Sequence, residues 1–171
     1  MNSGVHLRSV DYYTQSQFMR LDLSAVKNLE ISETMRSKAK RGSLLWVLDK
    51  TKTAMGKRLL RSWFEKPLMN VSSINARLDA VEELTSDPIM LNETAEYLSG
   101  IRDVERLMTK VLYSSANPRD LLNIAATVRR FPLIKQSLIN ARSDYLKLID
   151  CDIDPLNDIA DLIESAIDQD A

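Results

Sequence analysis

Residues 42–68 read GSLLWVLDKTKTAMGKRLLRSWFEKPL, and this stretch decides the fold class. Leu44, Leu45, Val47 and Leu48 form a short apolar turn, after which Thr53 can accept a backbone hydrogen bond and start a helix. That helix carries Met55, Leu59, Leu60, Trp63 and Phe64 at helical spacing, which predicts one inward stripe. Pro67 stops it, because the proline ring disfavours helical geometry at Lys66. Gly56 inside the helix costs about 1 kcal/mol relative to alanine, a cost that close approach of a neighbouring helix explains.

The same punctuation extends in both directions. Upstream, Asp22 can cap a short helix bearing Leu23, Val26 and Leu29, and the polar stretch ETMRSKAKRG reads as a loop. Downstream, Asn70 or a following serine starts a helix with Ile74, Leu78, Val81 and Leu84 on one face, and Asp87-Pro88 breaks it. A shorter helix is expected from Met90 to Leu98. After Gly100, Ile101, Val104, Leu107, Met108, Val111 and Leu112 make a wide stripe that predicts deep packing. In NPRDL, Asn117 caps, Pro118 takes the first helical position and Asp120 complements the helix dipole. Pro132 starts another short segment, and Ile153, Leu156, Ile159, Leu162, Ile163 and Ile167 predict a final amphipathic helix. The fold class is therefore all-α, an irregular multi-helix bundle, with no repeat of solenoid period.

Composition agrees. The 171 residues are 44% hydrophobic with only 4 glycines and 5 prolines, enough for one real core and little loop material. One cysteine, Cys151, excludes an internal disulfide framework and suits a reducing, cytoplasmic compartment. No apolar run approaches the ~20 residues that span a bilayer, and MNSGVHLRS does not read as a secretory signal, so no membrane partner is expected. Residues 1–9 read as an appended or frayed start, and residues 10–171 as one helical segment cut at its C-terminal side.

The net charge of −1 hides two opposed runs. From Arg36 to Lys66, ten cations face only Asp49 and Glu65, which makes a candidate phosphate-facing surface with Lys38, Lys40 and Arg41 as possible contacts. From Asp150 to Ala171 there are eight acids and no cation, so the two runs can attract each other or matching partners.

Catalytic groups are scarce. His6 and Cys151 are far apart, and the acidic surroundings of Cys151 disfavour a reactive thiolate. The TAMGKR stretch resembles a phosphate-binding loop only superficially. Thr51 stands where the first glycine belongs and Arg58 where the magnesium-reaching hydroxyl belongs. Asp103 and Glu105, two apart on a helix, point in different directions, whereas Asp103 and Arg106 face each other and suit a structural ion pair. Trp46 and Trp63 read as core anchors. No active site, cofactor site or metal site is expected in this chain.

In order, FMRLD, NLEI, the 42–68 stretch, INARLDAVEEL, IRDVERL and NPRDL resemble the core region of the MutS family of DNA mismatch-repair ATPases, from about Val10 to about Asp168. The shared pattern includes Asp22, Asn28, Glu30, Asp49, Gly56, Arg58, Pro67, Arg77, Asp103, Arg106, Asn117 and Arg119 as structural positions; Asn70 replaces a frequent acid and caps equally well. The resemblance implies a parent that binds DNA as a dimer, with ATP and magnesium at a separate domain, in the cytoplasm on the bacterial nucleoid or in a eukaryotic nucleus. This chain would be a mechanical lever contacting other parts of the same polypeptide. The family's Phe-X-Glu reading motif and its P-loop are absent here. The alternative is a stand-alone nucleic-acid binding module using residues 36–66. A cut lever is expected to expose apolar helix faces or to self-associate.

Overall fold

The computed structural model describes residues 17–168, so His6 and the expected start at residues 1–9 lie outside it. Among the described residues there are ten helices and no strand, only an isolated antiparallel bridge between Phe18 and Leu68. Seven helices begin on a side-chain cap, which is why their starts are legible. These are α1 (Leu23–Asn28) on Asp22, α2 (Leu44–Leu48) on Ser43, α3 (Ala54–Glu65) on Thr53 and α4 (Val71–Ser86) on Asn70. They continue with α5 (Pro88–Ser99) on Asp87, α6 (Val104–Leu112) on Asp103 and α7 (Pro118–Val128) on Asn117. The Asn117 cap is reciprocal: its side chain accepts from Asp120 N and the Asp120 carboxylate accepts from Asn117 N. The last three, α8 (Phe131–Leu138), α9 (Asp144–Asp152) and α10 (Asn157–Ala166), have no side-chain cap.

Two cores hold these helices. In the larger, Ala80, Met90, Ile101, Ile134, Leu138, Ala141 and Leu146 are buried, where α4, α5, α8 and α9 meet. In the smaller, Ile124, Ala125, Val128 and Ala160 are buried, where α7 packs on α10. Phe131, at the first position of α8, packs against both. The α7–α10 contact is close because Ala125 is 1% and Ala160 0% exposed, so the helices meet across methyl groups. Arg129 then spans α7 and α10, donating to Asp161 and Glu164, and Glu164 is held below the usual carboxylate range by that guanidinium.

Several packing expectations are corrected by this arrangement. Leu59, Leu78 and Val81 point to solvent, and the buried residue of α4 is Ala80. The 101–112 stripe is not deeply packed: Ile101 is buried, but α6 itself has no buried residue, and Met108 and Leu112 are exposed. It packs mainly along the flank of α7. The final helix is shorter than expected, since Ile153 and Leu156 precede it and Ile167 is its C-cap, and a separate helix, α9, lies before it. The acids interleaved in DYLKLIDCD dilute the apolar period of α9, and α10 begins after Leu156, whose left-handed backbone (φ 48°) makes the turn. Cys151 lies exposed in the last turn of α9.

Thr127 is wholly buried and does two jobs, its hydroxyl donating to Asn123 O (2.8 Å) and accepting from Arg102 N (3.2 Å). Thr127→Val keeps the shape and leaves the Arg102 N–H without its acceptor. A loss of about 1 kcal/mol is expected. Thermal unfolding followed by circular dichroism measures it; an unchanged Tm would show that water replaces the hydroxyl.

Candidate functional site

The basic segment is the place where the sequence pointed to a partner, and the fold gives much of its charge partners within the chain. Lys38 pairs with Glu33 at 3.5 Å, Lys57 with Asp49 at 3.1 Å and Arg61 with Glu65 at 2.8 Å. Arg58 reaches across the chain to α6, donating from both guanidinium ends to Asp103 (2.8 and 2.9 Å) and from one to Glu105 (2.5 Å). Asp103 and Glu105 therefore converge on one arginine, against the expectation that they diverge. The helical angle between neighbours does not apply to Asp103, which as the N-cap of α6 lies outside helical geometry, and a planar guanidinium is wide enough to take both. Arg106 contributes its backbone N–H to the Asp103 cap at 3.4 Å instead of forming the expected side-chain pair. The Arg58 guanidinium holds the Asp103 carboxyl below its usual range, and both acids raise Arg58 in turn.

The acidic run pairs elsewhere. Lys135 of α8 meets Asp150 and Arg129 meets Asp161 and Glu164, so these three acids of the run serve the bundle itself. A groove beside α2 and α3 is lined by Lys38, Lys40, Trp46, Lys50, Lys57 and Arg61. Arg41 lies 6.0 Å from the Trp46 ring, and Trp46 is 53% exposed, so it is not the expected core anchor. Trp63 is partly buried, with the Arg77 guanidinium stacked 3.7 Å above its ring.

The near-miss phosphate loop does not form a cradle. The Gly56 amide donates to Thr53 Oγ1 (2.9 Å) inside the first turn of α3, and Lys57 is taken by Asp49. A side chain at Gly56 would meet that same threonine oxygen at 2.9 Å, so the glycine accommodates its own cap, not a neighbouring helix. These residues do not fit a nucleotide triphosphate. Among the described residues no group of three His, Cys, Asp or Glu is placed to hold a metal, and no helix is long and apolar enough to cross a membrane.

With the bundle and its Arg58 link described, the comparison with known families decides the membership: a family model described as MutS domain III aligns with residues 24–171. The chain belongs to the MutS domain III family. It is 49% identical over 166 residues to the DNA mismatch repair protein MutS of Lachnoclostridium phytofermentans, covering 97% of this chain and 18% of that protein. It is 47% identical over 162 residues to the protein of the same name from Alkaliphilus oremlandii, covering 95% and 18%. Against that of Clostridium perfringens it is 42% identical over 168 residues, covering 98% and 18%. The chain thus spans about a fifth of the length of these relatives.

Within this MutS domain III the other pattern residues take structural places. Asn28 ends α1, and Glu30, with a left-handed backbone (φ 49°), accepts from Met35 N to turn the chain toward the basic loop. Pro67 offers its carbonyl to Met19 N at 2.8 Å, tying the end of α3 to the start of the described chain. Asp49 closes α2 and accepts from the Thr51 hydroxyl at 2.6 Å, which with Lys57 holds its carboxyl below the usual range. Arg119 lies exposed in the first turn of α7. Sequence reasoning missed Glu83, whose carboxylate accepts the Arg142 and Ser143 amides and thereby anchors the α8–α9 turn to α4. Nothing in the local pattern marks it, since its partners lie about sixty positions away.

Proposed function

We propose that this chain is a structural and allosteric lever in a DNA mismatch-repair ATPase, passing nucleotide-dependent shifts between the ATPase part and the DNA-binding part. The observation that carries this reading is the Arg58 clasp, which fastens α3 to α6 through two carboxylates 45 and 47 positions away. A bidentate, interhelical contact of this kind has discrete made and broken states, which is what a lever requires. Membership of the MutS domain III family and the names of the relatives support it. In this reading the chain contributes no catalytic group, the parent acts as a dimer in the cytoplasm, and ATP, magnesium and DNA belong to other parts of the polypeptide.

The test is Arg58→Ala in a full-length MutS carrying this domain. Affinity for mismatched duplex should stay within about twofold while ATP-induced release from the mismatch slows by about tenfold, within the usual range of allosteric coupling. Unchanged release would remove the clasp from the coupling path.

A second reading, direct phosphate contact through Lys38, Lys40 and Arg41, is favoured by the exposed basic loop and groove. Lys38, Lys57, Arg58 and Arg61 of the same segment are already paired with acids. If that reading holds, reversing all three charges abolishes a salt-sensitive affinity for duplex that does not distinguish matched from mismatched pairs.

A further inference from the structure

This fold has a consistent way of treating an arginine between helices: it sets two carboxylates against it. Arg58 has Asp103 and Glu105, and Arg129 has Asp161 and Glu164. A third arginine group departs from that rule. Arg102, Arg106 and Arg119 line one open cleft of about 580 Å³ between α6 and the first turn of α7, together with Lys110, Leu107 and Asn123. None of the three makes an ion pair within 4 Å among the described residues. The one carboxylate on the cleft wall, Asp103, is held by Arg58 and by the Arg106 backbone N–H, and the Arg106 guanidinium makes no ion pair with it. Lys110 is taken by Asp120 at 2.8 Å, which leaves Asp120 below the usual carboxylate range and unavailable to the arginines.

We infer that this cleft is a docking site for an acidic protein segment, which would set carboxylates against Arg102, Arg106 and Arg119 and an apolar side chain against Leu107. Guanidinium groups recognise carboxylate and phosphate alike by planar two-point contacts. Carboxylate is favoured here for three reasons. The cleft has an apolar wall in Leu107, it is bounded by two helices instead of running as a basic ridge that a duplex backbone can follow, and the same bundle twice satisfies an arginine with paired acids. The relatives are far longer than the stretch matched here, so in proteins of that length a segment outside this domain is at hand to supply the acids.

Fluorescence anisotropy tests this on the 171-residue chain at fixed, low salt. The probe is a short labelled peptide of glutamates with interspersed leucines, competed with inorganic phosphate and with a random-sequence duplex. Combined Arg102→Gln, Arg106→Gln and Arg119→Gln should weaken peptide binding by about tenfold or more. Removing three exposed cations elsewhere, by Arg20→Gln, Lys27→Gln and Lys147→Gln, should leave it within about twofold. The single Arg119→Gln, at an exposed side chain, should give an intermediate loss and serves if the triple variant fails to fold. No binding by the unaltered chain overturns the inference, as does equal weakening in both triple variants. Displacement of the peptide by phosphate or duplex at far lower concentration would make the cleft a phosphate site and overturn it equally.

Discussion

Phe131→Ala is expected to destabilise the domain by about 3 kcal/mol, a fall in Tm of roughly 6–12 °C, and to broaden or split its single unfolding transition. The first part follows from removing an aromatic ring from packed surroundings. The second follows from where that ring sits. Phe131 is the residue packed against both the α4–α5–α8–α9 core and the α7–α10 core. With the ring gone, the two cores keep their own contacts and lose a shared one, so their unfolding need no longer coincide. Differential scanning calorimetry, comparing calorimetric with van't Hoff enthalpy, reads this directly. Phe131→Leu, which retains an apolar side chain, should lower Tm by less and leave one transition. A single sharp transition in the alanine variant would mean that the cores are coupled mainly by the α7–α8 backbone connection.

Acid should unfold the domain steeply below about pH 4. Five carboxylates are held beneath their ordinary range, each by a named neighbour: Asp49 by the Thr51 hydroxyl, Glu83 by the Ser143 amide, Asp103 by Arg58, Asp120 by Lys110 and Glu164 by Arg129. A carboxylate whose folded pKa is depressed stabilises the fold fully above its unfolded value, and that contribution is lost as pH falls through the folded value. Tm should therefore be nearly flat from neutral pH to about 5 and drop sharply beneath about 4. Three of the five groups join helices distant in sequence, so their protonation loosens tertiary packing first. Glu83→Gln should lower Tm at neutral pH and flatten part of the acid slope, since the amide still accepts a hydrogen bond but no longer titrates. A Tm unchanged down to about pH 3 would show that these pairs contribute nothing to stability.

What the sequence disclosed and what it hid divide along a physical line. Caps and stops are local chemistry, so Asp22, Thr53, Pro67, Asn70 and the Asn117-Pro118 start were readable from a few adjacent residues. Burial was misread wherever packing depends on small side chains. The most deeply buried residues are small, Ala160, Thr127, Ala125 and Ser43, which carry little weight in a hydrophobic stripe; the alanines among them let helices come close. Large residues such as Leu59, Leu78 and Leu112 had the right spacing and are exposed in this chain. The site was hidden for a different reason. The family pattern marked Arg58 and Asp103 separately, but no periodicity joins residues 45 positions apart, and the role of Gly56 depends on a threonine rotamer that sequence does not specify.

The exposed thiol at the end of α9 gives the lever hypothesis an unusual convenience. Cys151 is the chain's sole cysteine, and it lies beside Asp150, which Lys135 of α8 holds. A nitroxide or fluorophore attached there needs no prior removal of competing thiols from this domain. Its mobility would report how firmly α9 is seated on α8, so a shift transmitted through the bundle becomes visible as a change in a spectrum.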